Sequence, residues 1–176
     1  GMNAALLMAK VSSLLHHLAK DMKDPAELLE RVNDEICETV SHGMFVTLVS
    51  GFLDPKTNIV RFANAGHQPP LFHKHDDTFE ELPATAPPVG IMPGIEFPAT
   101  TLSLEGGSLY IFTDGVTEAM DDTNNELEVK GLIQLIQANS ETSSSKRLDS
   151  IVGKIRRPNV DQHDDITILL IECSQT

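Results

Sequence analysis

The chain has 176 residues, with 13 Lys and Arg against 26 Asp and Glu, a formal net charge of −13. That length suits one domain with its own apolar core and no need of disulfide or metal staples, and 40% hydrophobic with 22% charged residues excludes wholesale disorder. The acid excess argues against a nucleic-acid or anionic-membrane surface, because phosphates are repelled at long range. It leaves phosphate chemistry open where cations are recruited locally.

Cys37 and Cys173 are too few for a disulfide framework and point to a reducing, cytoplasmic setting. Without any Cys-x-x-Cys pair a zinc ribbon is excluded. The longest apolar runs, residues 109–112 and 166–171, fall far short of the ~20 residues of a membrane span. The start has neither a basic stretch nor a cleavage signature, so no signal peptide is expected.

In chain order, Leu7, Val11, Leu14, Leu15 and Leu18 keep a helical period among helix-forming alanines. Asp24 reads as the N-cap of a second helix, with Pro25 in its first position and Glu27 in capping-box register. Leu28, Val32, Ile36 and Val40 give that helix one buried stripe, and Gly43 is its expected end. Residues 45–49 and 59–62 flank the turn residues 54–58 as a hairpin. Residues 71–73 and 79–82 form a second hairpin around Asp76-Asp77, and residues 83–98, with five prolines, an irregular connector. Residues 100–104 and 108–113 around Gly106-Gly107 read as a third hairpin-like pair. Residues 126–139 and 146–157 look helical across a Ser-rich joint, and residues 166–172 are a last apolar strand. Such hairpin-rich order predicts an α+β class with largely antiparallel sheets, in a single domain over residues 1–176.

Chemistry concentrates at the ends of two apolar runs. Asp114 follows residues 109–113 and precedes Gly115; Asp164 and Asp165 stand immediately before residues 166–170. A carboxylate at the mouth of a buried strand needs a partner, and a divalent cation is one candidate. If the two strands are neighbours, Asp114 and Asp164 come together, and oxygen donors without clustered His or Cys favour Mg2+ or Mn2+ over zinc. Asp-Gly is equally a common turn, and Asp-Asp before a strand a common solvated loop. In the run Asn64-Ala65-Gly66-His67-Gln68-Pro69-Pro70 a rigid loop presents one imidazole. His67 can orient a phosphate, act as an acid, or donate the hydrogen bond that fixes its own loop. His16 and His17 are adjacent and face apart, and His73, His75 and His163 read as surface residues.

Four segments together, Ala4-Ala5-Leu6-Leu7-Met8-Ala9, residues 64–70, Thr113-Asp114-Gly115-Val116-Thr117-Glu118 and Asp164-Asp165-Ile166-Thr167, resemble in order and spacing the bacterial stage II sporulation E type of protein phosphatase. That family is a branch of the metal-dependent protein phosphatase 2C superfamily, and the resemblance covers essentially the whole chain. It implies two stacked antiparallel sheets flanked by helices, an α-β-β-α sandwich. It also implies hydrolysis of phosphoserine or phosphothreonine on a regulatory protein with two Mn2+ or Mg2+ ions. Carried over residue by residue, Asp114 and Asp164 are metal ligands and thereby catalytic, Asp165 stands beside the ligand, and Gly115 and His67 lie in loops near the site. By the same analogy the substrate is a phosphorylated anti-anti-sigma factor in sigma-factor regulation, with a sensor domain upstream.

The chain departs from the family at its front. The Gly-Asp-x-x-Asp strand and the Asp-Val-x-Gly-(Lys or His)-Gly loop expected before the first helix are absent, and the chain starts at Gly1-Met2-Asn3. The expectation is a domain lacking its first strand, with weak or single metal occupancy and impaired turnover. Its exposed sheet edge would invite a homodimer or a partner's strand. The rival reading is a non-catalytic, degenerate phosphatase fold that binds a phosphoprotein or partner domain. In either case the acidic surface would steer a basic partner face in a salt-sensitive way.

Overall fold

The computed structural model describes residues 2–40, 43–121, 125–156 and 165–173. It divides into two compact units, Gly1–Pro69 with Pro83–Leu104 and Pro70–Leu82 with Glu105–Thr176. Among the described residues the strand pairs are all antiparallel and fall into two sheets, as the α+β expectation has it.

In the first unit, helix α1 (Met2–Leu18) buries Leu7 and Val11, with Leu14, Leu15 and Leu18 half-buried against the same cluster. Helix α2 (Pro25–Thr39) begins where expected. The Asp24 carboxylate accepts from Ala26 N at 3.0 Å and Pro25 takes the first turn, where its missing N–H costs nothing. The same carboxylate receives Arg61 at 2.8 Å. Leu28, Leu29, Val32 and Ile36 form the buried stripe. The helix stops at Thr39, short of Gly43, because Val40 turns extended. Buried Asn33 fastens the proline-rich connector to α2, donating to Met92 O and accepting from Gly90 N, each at 2.9 Å.

Strand β1 (Leu48–Asp54) runs against β2 (Ile59–Ala65), from Leu48 opposite Ala65 to Asp54 opposite Ile59. The expected strand over 45–49 is thus displaced toward the turn. Val46 leaves this sheet and exchanges two 2.9 Å backbone bonds with Val89 of the connector. Gly51 sits inside the strand: a Cβ there would lie 2.7 Å from the Phe62 Cβ, so only glycine admits β2 this closely.

The third hairpin does not form. Strand β5 (Thr100–Ser103) pairs with β2 in the order β1-β2-β5, whereas the run after Gly106-Gly107 joins the other sheet. A turn signal marks a reversal of direction without stating which strand is the neighbour, and here burial decides. The run at 108–112 is buried on nearly every residue and requires a partner on both sides.

The second unit holds the expected hairpin of β3 (Leu71–His73) and β4 (Phe79–Glu81), then β6 (Ser108–Phe112) and β7 (Ile168–Glu172), in the order β4-β3-β6-β7. His73 is not a free surface residue: its ring stacks on Phe79 with centroids 4.3 Å apart, and its Nε2 lies 2.7 Å from Asp77 Oδ1. A single turn, α3 (Asp114–Thr117), follows β6, and helices α4 (Glu128–Gln137) and α5 (Ser144–Ile155) come next. The expected helix over 146–157 ends at Ile155, and Arg157 lies outside the described residues. Leu132, Ile136, Ile151 and Ile155 close one core with Leu71, Tyr110, Phe112 and Val116.

Arg147 ties that core together from within. Its guanidinium donates to the Tyr110 hydroxyl and Glu172 Oε2, each at 3.0 Å, and to the carbonyl oxygens of Ser140 and Thr142 at 3.1 and 3.0 Å. Ser108 donates to the same Glu172 oxygen at 3.0 Å. Burial holds the Tyr110 pKa above its usual value, against the opposing pull of Arg147. Because the folded value is raised, this contribution to stability is complete below the unfolded tyrosine pKa of ~10 and disappears as pH rises through the folded value. Tyr110 is the chain's one tyrosine and there is no tryptophan. Phenolate absorbance at 295 nm should therefore titrate at higher pH in the native protein than in urea.

Candidate functional site

Asp114 stands where β6 stops being a strand. Thr113 is extended, with φ −85° and ψ 161°, and its carbonyl accepts from Val116 N at 3.0 Å, which starts the α3 turn. Val116 drops into the core, while Asp114 O accepts from Glu118 N at 2.9 Å and from the Thr117 hydroxyl at 3.1 Å. The Asp114 carboxylate accepts from the N–H of buried Gly115 at 3.0 Å. The side chain is half-buried on a turn fixed at every residue, as befits a group that must hold a position.

Strand β7 reaches the same end of the sheet. Its pairing with β6 closes with Phe112 opposite Ile168. One step further, Thr113 N donates to Thr167 O at 3.1 Å. Thr167 N returns its bond to the Thr113 hydroxyl at 3.0 Å, and that hydroxyl donates to Asp165 O at 2.9 Å. The backbone at Asp165 is thereby fastened beside the start of α3, with the Asp165 side chain exposed. Asp164 lies outside the described residues. Among the described residues no group of three or more His, Cys, Asp and Glu converges. Asp114 and Asp165 stand at the same end of the β6–β7 pair, and carboxylate oxygens are hard donors of the kind Mg2+ and Mn2+ prefer.

The His67 loop belongs to the first unit and owes its shape to Asn64. This buried side chain accepts from His67 N at 2.9 Å and donates to the carbonyl oxygens of His67 and Gln68 at 3.2 and 3.5 Å. Gly66 has φ +65°, and a Cβ there would lie 2.6 Å from the Pro88 ring, so the turn is open to glycine alone. The imidazole itself meets the Thr47 hydroxyl through Nδ1 at 3.2 Å. Loop fixation thus rests on Asn64, a role readable in sequence only as an Asx-type side chain three residues before the residue it caps.

The family model of Stage II sporulation protein E (SpoIIE) matches residues 1–174. The chain belongs to the SpoIIE family. Its fold is that of PP2C phosphatase domains. The SiaA-PP2C domain of Pseudomonas aeruginosa superposes with a TM-score of 0.82 at 17% identity, over 99% of this chain and 72% of that one. RsbX, solved in complex with magnesium, superposes with a TM-score of 0.70 at 16% identity, over 97% and 74%. Among curated relatives, Protein IcfG of Synechocystis sp. (strain ATCC 27184 / PCC 6803 / Kazusa) is 31% identical over 146 residues, 79% of this chain and 22% of IcfG. Phosphoserine phosphatase RsbP of Bacillus subtilis (strain 168) is 26% identical over 125 residues, 67% of this chain and 30% of RsbP. The chain therefore spans less than a third of the curated relatives it matches. The family is one of PP2C-type protein serine/threonine phosphatases. No helix among the described residues is long and apolar enough to cross a membrane.

Proposed function

We propose that residues 1–176 act as one catalytic domain that hydrolyses phosphoserine or phosphothreonine on a signalling protein in a divalent-metal-dependent reaction. The observation that carries the reading is the β6–β7 pairing, which ends two residues before Asp114 and three after Asp165. Asp114 and Asp164 are the residues we propose as metal ligands, with Asp165 supporting the second of them. RsbX, a structural relative, is solved with magnesium, which supports Mg2+ or Mn2+ as the cation. When bound, such cations neutralise phosphoryl oxygens and acidify an attacking water.

The chain's own part is positional. The α3 turn holds the Asp114 carboxylate through Gly115 N–H, so little reorganisation is needed when charge develops on the phosphoryl group. The carboxylates themselves repel a phosphate, so substrate capture depends on the cation being in place. Within its own unit, the loop of Asn64 and Gly66 holds the backbone of His67 in place. By the kinship with RsbP, a phosphoserine phosphatase, the substrate we propose is a phosphorylated anti-anti-sigma type regulator in the cytoplasm. Its dephosphorylation would serve sigma-factor regulation, with a sensor domain governing the phosphatase. Strand β1, an edge of its sheet, is where a second copy or a partner strand would add.

The test is phosphate release from a phosphoserine-bearing regulator of this class, in chelator and after Mn2+ or Mg2+ is restored. Release that returns with the metal is expected. Release unaffected by chelation would contradict the metal-dependent reaction, and tight binding of the phosphoprotein without any release would favour the non-catalytic alternative.

A further inference from the structure

We infer that Thr113, through its side-chain hydroxyl, is the positioning residue that sets the spacing between the two carboxylate stations of this site. The inference rests on the proposed metal site. An antiparallel pair in register normally exchanges two backbone bonds at such a rung, and Thr113 stands opposite Thr167 as the next rung after Phe112 and Ile168. Thr113 N makes the first bond, to Thr167 O at 3.1 Å. The second cannot form in the usual way, because Thr113 O has turned to accept Val116 N at 3.0 Å and begin α3.

The hydroxyl takes over the vacated place. It accepts the Thr167 N–H at 3.0 Å and donates its one proton to Asp165 O at 2.9 Å, with Thr167 O farther off at 3.5 Å. One side chain thus lets the first strand break into a turn that aims Asp114 while the second strand stays fastened at Asp165. Without it, Thr167 N–H and Asp165 C=O would lose this partner, and at this rung the bond from Thr113 N to Thr167 O would remain. Both functions of the hydroxyl, donor and acceptor, are used. Serine should therefore substitute, and valine, with nearly the same shape, should not.

Mn2+ binding to the chelator-stripped protein, read from the electron paramagnetic resonance signal of free Mn2+, tests this without reference to turnover. Wild type, T113V, T113S and D114N are compared, with thermal melts of each. The expected result is an Mn2+ Kd raised about tenfold or more in T113V, as for other groups that orient metal ligands. T113S should bind like wild type, and D114N should bind more weakly than T113V. A T113V protein that melts lower yet binds Mn2+ like wild type would reduce Thr113 to a structural role and overturn the inference. So would T113S binding as poorly as T113V. D114N binding like wild type would instead overturn the metal-site reading itself. If T113V does not fold, T113A against T113S carries the same comparison.

Discussion

Asp114→Asn is expected to lower metal-dependent turnover by about a hundredfold or more, some 2.7 kcal/mol or more of transition-state stabilisation. Asparagine is isosteric, and its carbonyl oxygen can still accept the Gly115 N–H that the carboxylate now takes at 3.0 Å. The α3 turn, held by Thr117, Glu118 and Val116 through main-chain oxygens, has no reason to change. What disappears is one negative charge at a half-buried strand end, and with it the Coulombic hold on a divalent ion. The loss should therefore appear both as a higher Mn2+ concentration for half-activation and as a lower rate at saturation, while the melting temperature stays near that of wild type. Initial rates over a Mn2+ series, with a thermal melt of the same samples, check both halves. A variant with wild-type rates would contradict the assignment of Asp114.

The largest effect on stability is expected from Arg147→Met. Methionine fills much of the aliphatic space but leaves Glu172, the Tyr110 hydroxyl and the carbonyl oxygens of Ser140 and Thr142 without their shared donor. Removing one member of a buried pair typically costs 3–5 kcal/mol, because the remaining charge stays desolvated. Glu172 retains 27% side-chain exposure and can recruit water, so a loss near the lower end, ~3 kcal/mol, is expected. Urea unfolding followed by circular dichroism should show a lower midpoint at unchanged slope. Lysine should rescue little, since a point charge cannot span Tyr110, Glu172 and the joint between α4 and α5 together. A midpoint within error of wild type would mean that the network is dispensable.

These two residues differ in how plainly the sequence announces them. Asp114 is conspicuous because a five-residue apolar run ends on it and glycine follows. Arg147 lies in a helix of ordinary amphipathic pattern, and its partners stand 37 residues before it and 25 after. Nothing local in the sequence marks such an arginine as buried. Thr113 was equally silent: its role depends on which strand lies beside β6, and that neighbour is itself a long-range fact.

The same distinction runs through the fold. Local signals located α1, the cap of α2 at Asp24, the β3–β4 hairpin and the last strand, where periodicity or a capping side chain carries the information. Pairing across distance was not legible. Gly106-Gly107 suggested a hairpin between strands that belong to different sheets, and β1 runs on past residue 49 through Gly51, which lets β2 approach closely. The candidate site shows both. Asp114 and Asp165 could be named from the apolar runs beside them, whereas the hydroxyl clamp between their segments had to be seen.

The most direct test of the central claim is hydrolysis of p-nitrophenyl phosphate by the wild-type protein in excess chelator and in Mn2+, beside D114N under the same conditions. Turnover that requires Mn2+ in the wild type and is absent from D114N is the predicted result. Equal turnover by the two proteins, or turnover that survives the chelator, would contradict a metal-dependent phosphatase built on Asp114.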